Sequence, residues 1–170
     1  MKVHKDFIKK KEADKINDVL LRPYFPWHYN KHQARKGDTS YMFHLFYGAD
    51  GVNSDYFYLV EPILKKLKGG KLLNVRANLT FKRPSKCFWH VDDFRRRYAN
   101  GPSKVFKHQT AIYYVNTNNG GTIFKNFKNK KVKSEKNKIV IFDGHQRHKA
   151  QIQTNTDARL VININYENKN

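Results

Sequence analysis

The sequence predicts a mainly β fold, a sandwich or double-sheet barrel with its helices packed on one face, and three observations carry that prediction. Helical periodicity is confined to roughly the first 70 residues. From Lys71 onward, short strand-like runs follow one another, separated by turn residues. No internal repeat and no linker divides the 170 residues, a length that fits one domain on the usual ~100–200 residues. Helices first and strands afterwards is the order expected when helices cover one side of a β core. A single domain over 1–170 is therefore expected, helical to about 70, with the β core over about 71–167.

Residues 5–21 place Ile8, Ile16, Val19 and Leu20 at helical spacing among charges, and Arg22-Pro23 ends the run. Pro23-Tyr-Phe-Pro-Trp-His-Tyr29 sets two prolines among four aromatics, which suits an extended segment over a core or beside a pocket. His32 to Ser40 reads as a polar loop, Tyr41–Tyr47 as a strand and Gly48–Ser54 as a loop. Over 54–68, Tyr56, Leu59, Val60, Ile63, Leu64 and Leu67 recur at three and four, and Gly69-Gly70 closes a second helix. Strands follow at Leu72–Phe81, Cys87–Val91, Thr110–Val115, Thr122–Phe124, Ile139–Phe142 and Leu160–Tyr166.

Composition narrows the function classes. Apolar residues are 39% of the chain and aromatics 14%, enough bulky surface to offset chain entropy, so disorder throughout is excluded. Cys87 is the single cysteine and has no disulfide partner within the chain. No apolar run approaches the ~18–20 residues that span a bilayer, and no signal-like segment follows Met1, so a cytoplasmic setting without membrane insertion is expected. The net charge of +20 would attract a polyanion such as nucleic acid. The joint excess of lysine and asparagine equally fits AT-rich coding, and the lysines spread over several segments rather than one block. No Gly-rich phosphate loop, Ser/His/Asp order or Cys-x-x-Cys pair is present.

The chemistry concentrates around His90-Val91-Asp92. Residues two apart in a strand share a face, so imidazole and carboxylate converge as adjacent metal ligands must. Composition alone yields about half a His-x-Asp match in a chain like this, and His4-Lys5-Asp6 is such a match in a charged N-terminal stretch. A two-histidine, one-carboxylate face for Fe(II) needs a further histidine from another strand, and His148, after Ile139–Phe142 and the turn Asp143-Gly144, supplies it. Eleven residues on stands Arg159, which shares a strand face with Val161 and Asn163, while Leu160, Ile162, Ile164 and Tyr166 share the other. A guanidinium inside a barrel calls for a carboxylate partner, which a dicarboxylate ligand would bring.

His90-x-Asp92, His148 fifty-six residues later and Arg159 eleven after that resemble the iron(II)/2-oxoglutarate-dependent dioxygenases. The strings Thr110-Ala-Ile-Tyr-Tyr-Val-Asn116, Asn119-Gly-Gly-Thr-Ile-Phe124, Ile139-Val-Ile-Phe-Asp-Gly144 and Ala158-Arg-Leu-Val-Ile-Asn163 are similar to the prolyl-4-hydroxylase-like branch, in its short stand-alone bacterial and phage versions. The resemblance covers about 71–167. It implies a double-stranded β-helix, a jelly-roll or cupin-like core. It also implies Fe(II) on His90, Asp92 and His148, and 2-oxoglutarate with its distal carboxylate on Arg159. It implies O2 as the other cosubstrate, ascorbate as a stimulant, and hydroxylation of an unactivated C–H bond, with succinate and CO2 released, as the reaction. A prolyl or peptidyl substrate follows from the branch; a nucleic-acid substrate, or a noncatalytic basic nucleic-acid-binding domain, follows from the charge.

Lesser positions have weaker signals. Asn78 shares a strand face with Arg76, where related enzymes place a polar residue against 2-oxoglutarate. Tyr113 and Tyr114 point to opposite faces, so one of them looks into the barrel, and Tyr113 is taken as the cosubstrate contact. Trp89 should face away from the site into the core, and Cys87, three residues before His90, should be a buried thiol on the opposite face. His145 is the alternative ligand to His148; the Phe-Asp-Gly-x-x-x-His string and the step to Arg159 favour His148. His28, His32, His44 and His108 have no paired motif. Pro23–His32 and the loop from Asp93 to Pro102, with Arg95-Arg96-Arg97, are the candidate substrate-recognition segments. The oligomeric state has no signal.

Overall fold

The computed structural model describes residues 1–32, 36–83, 87–92, 95–96, 104–105, 107–126 and 130–167, with backbone alone at 95–96 and 104–105. Its strands are β1 (Lys2–His4), β2 (His28–Asn30), β3 (Tyr41–Gly48), β4 (Gly51–Val52), β5 (Leu72–Phe81), β6 (Arg95–Arg96) and β7 (Lys104–Val105). They continue with β8 (His108–Tyr114), β9 (Gly121–Phe124), β10 (Lys130–Lys133), β11 (Lys138–Asp143), β12 (His148–Gln151) and β13 (Ala158–Glu167). Two helices, α1 (Lys10–Leu21) and α2 (Glu61–Leu67), and a 3-10 turn at Asp55–Leu59 complete the order.

Apart from β6 and β7, which pair only with each other among the described residues, the strands form two facing layers. The larger sheet runs β1-β11-β8-β13-β5-β3-β2, with β4 paired to β3, and the smaller runs β10-β9-β12. An antiparallel bridge between His90 and His148 adds the segment around His90 beside β12. Eight segments thus alternate between layers in chain order: β5, the His90 segment, β8, then β9 and β10, β11, β12 and β13. That alternation is a double-stranded β-helix, the jelly roll the sequence led us to expect.

The side-chain period of two explains what lies between and outside the sheets. Ile112, Tyr114, Phe124, Val132, Val140, Phe142 and Val161 fill the space between the layers. On the other face of the larger sheet, Val75, Ala77, Ala111, Tyr113, Leu160, Ile162 and Ile164 pack with Ala13, Ile16 and Leu20 of α1 and Ile63 of α2. β13 is therefore buried on both faces, as its near-continuous apolar run requires.

Three local departures from the sequence reading have physical causes. α1 begins at Lys10, not residue 5, because the residues before it are held elsewhere: Asn137 accepts from the Ile8 N–H at 3.0 Å and its side-chain NH2 donates to Ile8 O at 2.8 Å. β1 and β10 are charged edge strands, KVH and KKVK, built on backbone pairing that leaves no apolar period to read. The second helix is broken by Pro62, so a 3-10 turn precedes α2, and Lys68 ends α2 in the left-handed conformation at φ 49°. Among the described residues no helix is long and apolar enough to cross a membrane.

Candidate metal centre

His90, Asp92 and His148 converge between the sheets, each offering one ligand atom, with all three atoms within 4.8 Å of one another. Backbone pairing sets this arrangement. The His90 N–H donates to His148 O at 3.0 Å and the His148 N–H to His90 O at 2.9 Å, so the two histidines are direct cross-strand partners. The Asp92 N–H donates to Gly144 O at 3.0 Å, which holds the carboxylate beside them. Each imidazole is oriented from behind: Nδ1 of His90 lies 3.1 Å from Phe88 O and Nδ1 of His148 lies 2.9 Å from Gln146 O. Each Nδ1 therefore carries the proton, leaving both Nε2 atoms as free donors of a lone pair, each 4.0 Å from Asp92 Oδ1. Burial pushes the His148 imidazole below its ordinary pKa, Asp92 opposing that shift and His90 adding to it. The neutral form it favours is the ligand form.

Polar residues behind Asp92 lie on the same inward faces but escaped the sequence reading. The Thr110 hydroxyl stands 2.9 Å from Asp92 Oδ2 and 2.7 Å from Asn165 Oδ1, and its one proton serves one of them at a time. Asn165 continues the inward series Arg159, Val161, Asn163, so the period that identified Arg159 also contained it.

Arg159 closes the far end of the same cavity, whose lining includes Asn78, His90, Thr122, His148, Arg159 and Asn163. Its side chain is buried, with Nε donating to Ser134 Oγ at 3.2 Å, one Nη donating to Thr122 Oγ1 at 3.4 Å, and the guanidinium 5.9 Å from the Tyr114 ring centroid. Among the described residues it has no carboxylate partner, and burial lowers its pKa. Asn78 presents a buried Oδ1 with no hydrogen-bond partner. A buried cation without an anion, facing a carboxylate–histidine cluster, fits a dicarboxylate reaching from Arg159 to a metal. Gly120 makes room for this end: a Cβ there would meet Gln151 O at 2.7 Å, Asn118 Oδ1 at 2.8 Å and Arg159 Cδ at 3.1 Å.

One site assignment is corrected. Tyr113 faces the helices, not the cavity, and its hydroxyl donates to Asn137 Oδ1 at 3.1 Å, bracing the residue that anchors the start of α1. Tyr114 is the tyrosine between the sheets; its hydroxyl donates to Thr122 Oγ1 at 2.9 Å beside Arg159, and burial pushes its pKa up to about 12. Trp89 does face away from the triad, but onto the outer side of the smaller sheet, half-buried with the Lys149 ammonium 4.8 Å from its ring centroid, not in the core. Cys87 is half-buried, its thiol pushed up to about 11 mainly by burial. His145 pairs with Asp143 at 3.3 Å, away from the triad. His44 is held between Pro26 O at 2.8 Å and Ser54 Oγ at 2.7 Å. The loop from Asp93 to Pro102, including the arginine triplet's side chains, lies outside the described residues.

No protein-family model matches the sequence, and no curated protein matches it. Solved structures do. The viral collagen prolyl hydroxylase of Paramecium bursaria Chlorella virus-1, in a 2-oxoglutarate complex, aligns at TM-score 0.61 and 14% identity over 96% of this chain and 93% of its own. HygX from Streptomyces hygroscopicus, with nickel, 2-oxoglutarate and hygromycin B bound, aligns at 0.63 and 10% identity over 98% and 82%. A Trichoplax adhaerens prolyl hydroxylase in complex with a hypoxia-inducible-factor peptide fragment aligns at 0.66 and 12% identity over 98% and 83%. At such identities the likeness is one of fold, and it spans nearly the whole chain. The protein thus has the double-stranded β-helix fold of the iron- and 2-oxoglutarate-dependent dioxygenases.

Proposed function

We propose that the chain is a non-haem Fe(II)- and 2-oxoglutarate-dependent dioxygenase that hydroxylates an unactivated C–H bond. The observation that carries this reading is the His90, Asp92, His148 cluster opening onto the same cavity as a buried Arg159 without a carboxylate. His90, Asp92 and His148 would hold the metal, three ligands that leave open positions for cosubstrates. With 2-oxoglutarate and O2, bound iron would supply the oxidising chemistry, one oxygen atom entering the substrate and the other the succinate formed with CO2. Arg159 would take the distal carboxylate bidentately, with Tyr114 and Thr122 beside it and Asn78 along the chain of the ligand. The two Nδ1 hydrogen bonds keep the imidazoles aimed, and the apolar walls formed by Ile112 and Val161 keep water out.

A prolyl or peptidyl residue is the substrate we propose first, because two of the structural neighbours are prolyl hydroxylases, one of them in complex with a peptide. A second reading, oxidation of a nucleobase or nucleic-acid methyl group, is favoured by the +20 charge and would show activity falling steeply with salt. The decisive experiment is anaerobic titration of Fe(II) and 2-oxoglutarate into metal-free protein, followed by the weak visible charge-transfer band of the chelate. Wild type should develop the band and His148→Ala should not. Absence of both band and cosubstrate affinity in wild type at millimolar concentration would overturn the assignment.

A further inference from the structure

A second arginine faces the cavity's layer and has no role in the chemistry above. Arg76 lies on β5 two residues from Asn78, about 7 Å along the strand and on the same inward face. Its cross-strand partners are Asn163 on β13 and Leu45 on β3. Counted on β13, it stands level with a residue four positions from Arg159, about 13 Å away and on the other side of Asn78. Its guanidinium lies 5.6 Å from the Tyr41 ring centroid and 5.9 Å from that of Phe43, two inward-facing side chains of β3. The Tyr41 ring is fixed in turn, its hydroxyl accepting from Asn30 at 3.3 Å.

What Arg76 lacks is an acceptor. Among the described residues its buried Nε has no hydrogen-bond partner and no carboxylate pairs with it. Buried polar groups in native proteins are nearly always satisfied, and an arginine's Nε–H and Nη–H form a fork matched to two oxygens of one anion. Stacking on aromatic faces holds that fork in place while leaving its edge free. A purely structural guanidinium would instead bond backbone carbonyls or a carboxylate. Arg159 and the triad already account for the ends of one short dicarboxylate, and Arg76 stands beyond Asn78 from Arg159.

We infer that Arg76, resting against the adjacent rings of Tyr41 and Phe43 and flanked by Asn163, is a substrate-specificity residue that binds an anionic group, carboxylate or phosphate, of the molecule to be oxidised. The inference rests on the dioxygenase reading and adds a substrate class to it: the oxidised carbon would be presented from a molecule whose acid group docks on β5. The overall positive charge would raise the local concentration of such molecules.

The test uses Mn(II) as a paramagnetic probe in the triad, with saturating 2-oxoglutarate and inorganic phosphate as the trial anion. Relaxation of the phosphate 31P signal reports its approach to the metal. Wild type should show saturable enhancement, and Arg76→Met, which keeps the packing on Tyr41 and Phe43, should weaken phosphate binding by at least about tenfold. Arg76→Lys should retain part of it, and melting temperatures establish that both variants fold. The 2-oxoglutarate affinity, titrated separately, should be unchanged in both. Acetate that displaces phosphate assigns the group as a carboxylate; phosphate that resists displacement assigns a phosphate. Equal enhancement in wild type and Arg76→Met, an adventitious ion only, overturns the inference, as does a parallel loss of 2-oxoglutarate affinity, which would make Arg76 a cosubstrate ligand. Failure of wild type to bind Mn(II) or 2-oxoglutarate overturns the dioxygenase reading and this one with it, whereas failure of the phosphate arm alone overturns only this one.

Discussion

Replacing Arg159 by methionine should push the free protein and its cosubstrate complex in opposite directions. The guanidinium has five N–H donors, and among the described residues only two hydroxyls receive from it, at 3.2 and 3.4 Å. The residue is 3% exposed, so water does little for the rest. An apolar isostere of a buried ion is typically neutral to stabilising by about 1–4 kcal/mol. At roughly 2–4 °C per kcal/mol for a domain of this size, the free variant should melt between the wild-type temperature and roughly 16 °C above it. Removing one partner of a buried ion pair costs about 3–5 kcal/mol, so 2-oxoglutarate affinity should fall by roughly 150- to 4,000-fold. Thermal melts of the free protein, and calorimetric titration of the Mn(II)-loaded protein with 2-oxoglutarate, read the two effects. An Arg159→Met variant that melts well below wild type yet binds 2-oxoglutarate within about threefold of it would refute the reasoning, since Arg159 would then be a structural residue.

Three further outcomes follow from neighbouring geometry. Tyr114→Phe should weaken 2-oxoglutarate binding by about 0.5–1.5 kcal/mol, whereas Tyr113→Phe should leave it unchanged and lower stability by about 1 kcal/mol through Asn137; paired titrations and melts read both. Gly120→Ala should destabilise by about 1–3 kcal/mol because its Cβ has no room against Gln151 O, and the Arg159 Cδ it presses on should bring a measurable loss of cosubstrate affinity. The hydrogen bond from Lys138, with Lys5 nearby, holds the Glu135 carboxyl below its ordinary pKa. The stabilisation from that lowered pKa is complete above the unfolded value of about 4.3 and is lost as pH falls through the folded one. Lys138→Met should therefore show a smaller drop in urea midpoint than wild type between about pH 6 and about pH 3, and an equal drop would count against the pairing.

What the sequence made legible was whatever a period of two or a fixed spacing encodes. β5 matches its expected bounds, Leu72–Phe81, because turn residues bracket it in the sequence, Gly69-Gly70 before and Arg83-Pro84 after. Arg159 and Val161 face inward and Leu160, Ile162 and Ile164 outward as β13's pattern required. The triad was legible because three chemically distinctive side chains occupy motif positions. The choice between Tyr113 and Tyr114 was not, because identical neighbours on opposite faces differ only in which layer lies beyond them. Thr110 and Asn165 went unseen because a threonine or asparagine in a strand carries no mark of chemistry until its partner is known. β1 and β10 were hidden by lysine, since an edge strand needs only backbone pairing to exist.

The paired backbone bonds between His90 and His148 have a consequence for how the protein would respond to loss of its metal. The His90 segment meets the smaller sheet through a single isolated bridge rather than a ladder. A metal shared by His90 and His148 would therefore act as a clasp across that rung, stitching the margin of the smaller sheet shut. Occupancy of the ion and closure of this seam become one equilibrium, so each stabilises the other by mass action. Chelation should loosen the seam first, with the His90 and His148 amides exchanging with solvent well before those of β13, which is sheltered on both faces.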